Sequence, residues 1–292
     1  MGASKGRVLL TGAGGFTGSF MRKELEAHDY EVLGLGRGQA AVDLRDGDAV
    51  RQVVRDARAD YVVHLAAKAF VGHGCARDFY EVNLIGTRNL LEALAEDAHL
   101  PERILLASSA NIYGNASEGV LDESTVARPA NDYAVSKLAM EYMAGLWADR
   151  LPLVITRPFN YTGVGQPESF LIPKIVAHFR RKAEVIELGN LDVSRDFSDV
   201  RTVVETYRRL LETHEATGAT VNVCSGTAYS LREVIALCEA QTGRRIRIEV
   251  NPDFVRANEV KMLRGNPDRL RGLIGAIQVR PLSQTIDWML HA

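Results

Sequence analysis

Val8-Leu9-Leu10-Thr11-Gly12-Ala13-Gly14-Gly15-Phe16-Thr17-Gly18 is the stretch that decides the fold. A short apolar, β-like run enters a glycine turn, and a helical pattern follows through Phe20, Met21 and Leu25. A glycine triplet alone is a weak signal, but a strand before it and a helix after it supply the context in which it binds a dinucleotide. Glycines permit a tight turn and close backbone approach, while the helix start offers amide donors and a positive dipole end to a pyrophosphate. Gly12, Gly15, Phe16, Thr17 and Gly18 are the first cofactor candidates.

Downstream, a second strand over 31–35 ends in Gly36-Arg37. An NAD-binding chain usually carries an acid there for the ribose 2′-hydroxyl, whereas an arginine suits a 2′-phosphate, so NADP(H) is expected in preference to NAD(H). An ordinary surface arginine is the alternative. The run Tyr61-Val62-Val63-His64-Leu65-Ala66-Ala67 reads as a buried parallel strand whose end opens at the cofactor, with His64 structural. Asn83 precedes a helical pattern through Leu84, Leu90, Leu91 and Leu94. The strand over 104–107 then delivers Ser108 and Ser109 to the carboxyl edge of the sheet, where ligands of open α/β folds bind.

Chemistry enters with Tyr133-Ala134-Val135-Ser136-Lys137, in a helix expected over 132–150. Residues four apart share a helix face, so a phenol and an ammonium stand side by side. Lys137 is expected to pull the Tyr133 phenol from its usual value of about 10 toward neutrality. Tyr133 then exchanges a proton with a carbonyl or alcohol oxygen that a hydroxyl such as Ser109 holds. Taken alone, the pair is equally a solvated helix face.

Composition narrows the partners. The 292 residues carry 35 basic and 37 acidic side chains, a balance that gives no global field for nucleic acid or an anionic membrane. Cys75, Cys224 and Cys238 are too scattered for a disulfide framework or thiolate metal site and are expected to be small buried hydrophobes. With no apolar signal core at the N-terminus and no run of membrane-spanning length, a cytoplasmic protein is expected. In the second half, helices are expected over 169–182 and 199–211, and Ser230-Leu231-Arg232-Glu233 forms a capping box for a helix closed by Gly243.

Gly12/Gly15/Gly18, His64-Leu65-Ala66-Ala67, Ser108-Ser109 with Tyr113-Gly114, Tyr133/Lys137 and Arg157-Pro158-Phe159-Asn160 fall in an order and spacing that spans nearly the whole chain. Together they resemble the extended short-chain dehydrogenases that act on nucleotide sugars. The resemblance implies an α/β fold, a doubly wound parallel sheet of Rossmann type with a smaller C-terminal substrate lobe. Residues 1–157 would form the dinucleotide-binding domain, rejoined by a strand near 220–224, and 158–292 mainly the nucleotide-sugar lobe. It further implies Asp43 and Leu44 beneath the adenine, Leu65, Ala66 and Ala67 along the cofactor, and Asn83 as a brace for the central sheet. Tyr133, Lys137 and Ser109, helped by Ser108, become the catalytic set, with Lys137 also on the nicotinamide ribose.

The second lobe is most similar to reductases of GDP-4-dehydro-6-deoxy-D-mannose, through Gly163-Val164-Gly165-Gln166, the run from Gly189 to Phe197, Asn222-Val223-Cys224-Ser225-Gly226 and Arg256-Ala257-Asn258-Glu259-Val260. That similarity implies Arg195 and Arg256 on the diphosphate, Lys174 as a further cation, Glu259 at the nucleotide end and Asn160 at the sugar or its first phosphate. Guanidinium forks suit phosphate oxygens, although Arg195 pairing with Asp196 or Asp199 is the alternative. Ala110 and Asn111 occupy the positions where 4,6-dehydratases carry an acid and a base, so dehydration is not expected. Tyr161 stands where many relatives carry histidine. The expected reaction is NADPH-dependent reduction of a 4-keto-6-deoxy sugar nucleotide, because Arg37 favours a consumable reductant over the bound NAD of an epimerase. A 4-epimerase, a reductase of a UDP- or dTDP-linked keto sugar and a non-catalytic NADP-binding regulator are the alternatives. By resemblance the chain forms a homodimer through helices over 83–98 and 132–147.

Overall fold

The computed structural model describes residues 4–35, 42–68, 75–114, 119–254 and 261–292. Among these residues the centre is a six-stranded sheet in the order Thr220–Val223, Leu153–Pro158, Arg103–Ala107, Tyr61–His64, Gly6–Thr11, Tyr30–Leu35. Every pairing in it is parallel. Parallel strands need crossovers that cover both faces, and the strands are accordingly apolar on both. Val8, Leu10, Val63, Leu105 and Val154 pack on one side with Tyr207 and Leu210 of the Val200–Glu212 helix. Leu9, Val62, Ile104 and Leu106 pack on the other, against Val50 and Val54 of the Gly47–Ala57 helix and Leu90 and Leu91 of the Thr87–Glu96 helix. This is the doubly wound arrangement expected.

Chain order along the sheet reverses at Gly6–Thr11, which is flanked by Tyr30–Leu35 on one side and Tyr61–His64 on the other. At such a reversal the outgoing connections diverge and leave a crevice beyond the carboxyl ends. The glycine turn sits there.

The rest of the described chain adds a five-stranded sheet in which Ala228–Ser230, Ser194–Asp199, Met262–Gly265 and Gly119–Leu121 follow one another, with Asn160–Thr162 paired to Ser194–Asp199. Val185–Leu188 and Arg247–Val250 form a separate parallel pair. A second core joins Ile172, Ile175 and Phe179 of the Leu171–Arg180 helix to Leu231, Val234 and Ile235 of Leu231–Thr242 and to Ile286 of Leu282–His291. The capping box at Ser230 is present, with Glu233 N–H donating to Ser230 Oγ at 3.2 Å and Ser230 N–H to Glu233 Oε2 at 2.7 Å, and Gly243 closes that helix in the left-handed region.

Three expectations need correction. The helix carrying Tyr133 spans Asp132–Gly145 and then breaks into turns, because Gly145 and the exposed segment that follows give little to pack against. Asn83 lies inside a helical run, in a π-helical stretch, Tyr80–Gly86, between the α-helical segments Ala76–Phe79 and Thr87–Glu96. Cys75 is exposed, while Cys224 and Cys238 are buried as expected.

Candidate active site

The glycine turn has room for backbone and for nothing else. Gly12 has φ +72°, and a Cβ there would stand 2.7 Å from Ala66 N; one on Gly18 would stand 2.1 Å from Gly12 O. Gly15 N–H donates to Gly12 O at 2.9 Å, and Gly15 begins the Phe16–Glu26 helix without a side-chain cap. A bare helix start beside glycines that could carry no side chain is the cradle a pyrophosphate needs, so these residues fit a dinucleotide. Thr11 ties the turn to the next strand, since Ala66 N–H donates to its Oγ1 at 3.1 Å.

His64 is structural. It is 2% exposed, with Nδ1 2.7 Å from Thr11 Oγ1 and Nε2 2.8 Å from Thr87 Oγ1. Thr87 Oγ1 donates to Asn83 O at 2.7 Å, so it accepts from His64 Nε2–H. Burial and the nearby Lys137 charge push the imidazole down to about 3, which keeps it neutral.

Asn83 is wholly buried. Its Oδ1 accepts from Lys68 N–H at 2.8 Å and its Nδ2 donates to Ser136 Oγ at 3.0 Å, while Ser136 Oγ donates to Tyr133 O at 2.8 Å. One amide thus links the segment after the third strand to the helix bearing Tyr133 and Lys137. The π-helical stretch, wider than an α-helix, places it there. Leu44 is buried against Gly86, and the exposed Asp43 forms an ion pair with Arg45 at 2.6 Å. Leu65 and Ala67 belong to the segment that continues from the Tyr61–His64 strand.

At the carboxyl edge, Ser109 is the cap of the turn Ala110–Tyr113, accepting from Asn111 N–H at 3.2 Å, and its hydroxyl lies beside the Tyr133 phenol. Ser108 Oγ is buried beside it with no partner among the described residues, and Ser108 N–H donates to Thr156 O at 2.8 Å. Lys137 is 3% exposed and its Nζ donates to Ala107 O at 2.7 Å. Burial lowers the ammonium to about 8 against an opposing push from Glu141.

The expected lowering of the Tyr133 phenol is not found. Burial raises it to about 12, the Ser109 hydroxyl beside it pulls it down and the neighbouring Tyr161 pushes it up. The Lys137 hydrogen bond goes to Ala107 O instead of the phenol. At neutral pH Tyr133 is therefore a protonated donor.

Tyr161, in the Asn160–Thr162 strand, packs against the start of the Phe16–Glu26 helix. Its hydroxyl is 2.8 Å from Thr17 Oγ1 and its ring stacks on Phe16, with centroids 6.3 Å apart and planes within 13°. The series continues through Phe20, 5.5 Å from Phe16, to Trp288, 5.8 Å from Phe20, with the Arg201 guanidinium 3.8 Å over the indole. Sequence alone marked Tyr161 only as a departure. Its contact with the glycine turn spans 144 positions and left no local signal.

Of the substrate candidates, Asn160 Nδ2 donates to Asp196 O at 3.3 Å and Arg195 Nη1 to Ser194 O at 2.9 Å. Asp196 accepts from Ser225, Gly226 and Gly265, and Asp199 pairs with Arg201 at 2.6 Å. Lys174 Nζ donates to Glu187 O at 2.8 Å and lies 4.6 Å over the Phe254 ring. Arg37, Arg256 and Glu259 lie outside the described residues. Ala110 and Asn111, in the turn after Ser109, bring neither a carboxylate nor an ammonium. Among the described residues there is no cluster of metal ligands and no helix long and apolar enough to cross a membrane.

A parallel sheet with a glycine turn at its reversal point and a Ser-Tyr-Lys set at its carboxyl edge defines a nicotinamide-dependent oxidoreductase of the short-chain dehydrogenase type. The chain belongs to the NAD dependent epimerase/dehydratase family, whose pattern matches residues 8–224. It is 34% identical to GDP-6-deoxy-D-talose 4-dehydrogenase of Aggregatibacter actinomycetemcomitans over 92% of this chain and 91% of that protein. It is likewise 34% identical to GDP-6-deoxy-D-mannose reductase of Pseudomonas aeruginosa, with the same coverage. Among solved structures, a chain from Burkholderia cenocepacia J2315 with a provisional epimerase name is 52% identical, with TM-score 0.94 over 99% of this chain and 98% of that one. RMD from Pseudomonas aeruginosa, complexed with NADPH, superposes with TM-score 0.89 at 32% identity over 100% and 98% of the two chains. UDP-glucose 4-epimerase of Thermus thermophilus, complexed with NAD, gives 0.85 at 26% identity over 98% of both.

Proposed function

We propose that the protein reduces the 4-keto group of a nucleotide-linked 4-keto-6-deoxy sugar, with GDP-4-dehydro-6-deoxy-D-mannose as substrate, GDP-D-rhamnose as product and NADPH as reductant. The observation that carries the reading is the placement of Ser108 and Ser109, just beyond the Arg103–Ala107 strand, against the helix bearing Tyr133 and Lys137, whose Nζ donates to Ala107 O at 2.7 Å. Reduction of a ketone consumes a proton at the oxygen, and a protonated phenol is the form that gives one. Bound NADPH supplies the hydride. Ser109 orients the ketone oxygen with Ser108 beside it, Tyr133 hands over its proton, and Lys137, anchored on Ala107 O, holds the nicotinamide ribose.

Gly12, Gly15, Gly18, Phe16 and Thr17 receive the pyrophosphate, with Asp43, Leu44, Leu65, Ala66 and Ala67 along the rest of the cofactor. Arg37 supports NADPH over NADH through the 2′-phosphate, and the NADPH complex of the Pseudomonas relative is in keeping with it. Asn160, Lys174, Arg195, Arg256 and Glu259 take the nucleotide sugar, whose guanosine is suggested by the two GDP-sugar relatives. We divide the chain at 157/158 into a dinucleotide-binding part, which Thr220–Val223 rejoins, and a mainly sugar-nucleotide part.

Epimerisation is the second reading, favoured by the provisional name of the Burkholderia chain. Purified protein mixed with NADPH and GDP-4-keto-6-deoxymannose, with NADH and dTDP- or UDP-linked keto sugars alongside, distinguishes the two. Loss of nicotinamide absorbance with the GDP sugar and NADPH is expected. Oxidation with another nucleotide sugar alone overturns the guanosine assignment, and no oxidation with any keto sugar overturns reduction.

A further inference from the structure

Arg157 lies near the carboxyl end of the Leu153–Pro158 strand. It forks onto Glu141: Nη2 to Oε2 at 2.7 Å, and Nε to Oε1 and Oε2 at 3.1 and 3.2 Å. Both side chains are largely withdrawn from water, at 13% and 8% exposure. The other side of the guanidinium donates from Nη1 to the Tyr113 hydroxyl at 3.0 Å and to Glu123 O at 3.3 Å. Tyr113 in turn donates to Asn222 Oδ1 at 2.8 Å, and Asn222 N–H donates to Glu123 Oε1 at 2.7 Å. Burying an ion pair costs desolvation that a well-packed apolar pair avoids, so the pair is a poor stabilising device in itself. Its position gives it another use.

Glu141 is one helical turn beyond Lys137, on the same face of Asp132–Gly145. Tyr113 ends the turn that Ser109 begins. The cluster therefore holds the segment bearing Ser109 and the helix bearing Tyr133 and Lys137 against one strand end. We propose that Glu141, gripped by Arg157, is the positioning residue of the Tyr133–Lys137 pair, fixing the Lys137 side of the helix and setting a carboxylate one helical turn from Lys137.

Among the described residues, Glu141 is the anionic group acting on Lys137. From its own helix come Tyr133 and Glu141; the Tyr61–His64 strand contributes His64, which is neutral; the Arg103–Ala107 strand contributes the Ala107 carbonyl; Arg157 stands behind Glu141. Burial draws the Lys137 ammonium down to about 8, and the Glu141 charge opposes that.

The inference rests on Tyr133 and Lys137 being the reacting pair, so its primary test uses ligand-free protein and needs no substrate. In protein labelled with 13C-lysine, the Lys137 resonance is assigned by its loss in Lys137→Arg and titrated. The parent midpoint is expected near 8. Glu141→Gln should lower it by about 0.5–1 pH unit, and Glu141→Asp, whose carboxylate is one methylene further back, by less. The alkaline limb of kcat should move with the midpoint, whereas a purely structural brace would lower kcat equally at every pH. An unmoved Lys137 midpoint in Glu141→Gln overturns the proposal; if that variant does not fold, a midpoint in Glu141→Asp equal to the parent's does so. Failure of the reductase assay with a shifted midpoint would count against the function alone.

Discussion

Tyr133 and His64 show how burial decides protonation at single residues. The phenol is held in the protonated form, so Tyr133→Phe removes the proton donor while sparing the cofactor cradle. Turnover should fall on the order of 10²–10⁴-fold, with NADPH affinity by fluorescence titration within about threefold of the parent. His64 carries a different consequence. Its folded value lies near 3 against 6.5 for the free side chain, so the unfolded chain binds the extra proton first. Its contribution to stability is complete above 6.5 and is lost as pH falls toward 3. Denaturant unfolding should show a loss of roughly 2 kcal/mol between about pH 6.5 and 4.5 that His64→Gln, with no ring to protonate, lacks. An equal slope in the variant would assign the acid sensitivity to carboxylates.

Among the elements, the glycine turn and the Ser109 turn are the least tolerant of added atoms. Gly18→Ala places a methyl 2.1 Å from Gly12 O. NADPH affinity in that variant should fall at least about tenfold, with a lower Tm, since the turn must open to admit the methyl. Gly114, at φ +57°, would set a Cβ 1.8 Å from Arg128 O, so Gly114→Ala should destabilise by about 2 kcal/mol or more in denaturant unfolding. The glycine turn was legible in the sequence because its constraint is local: glycine spacing, a strand before and a helix after. The Tyr133/Lys137 spacing was legible for the same reason. Their environment was not, because burial of the phenol and the Lys137–Ala107 bond depend on strands distant in sequence. The π-helical stretch at Tyr80–Gly86 was hidden by an unbroken helical pattern, and short polar strands such as Asn160–Thr162 and Ser194–Asp199 lack the apolar run that marks the central sheet.

On the scale of the whole molecule, two helices leave large apolar side chains in solvent: Ile85 at 44% exposure, and Val135, Tyr142 and Leu146 at 38%, 74% and 82%. The homodimer expected by resemblance would bury them. Sedimentation equilibrium should give twice the chain mass, and Tyr142→Glu combined with Leu146→Glu should give one chain mass. The glycine-turn helix is met by Tyr161 through Thr17 and by Trp288 through Phe20. That aromatic series makes the protein its own optical gauge. There are two tryptophans, Trp147 and Trp288, so Trp147→Phe leaves a single emitter at the far end of a row of rings that begins at the glycine turn. Its emission then reports, without label or substrate, how the Leu282–His291 helix sits against the Phe16–Glu26 helix.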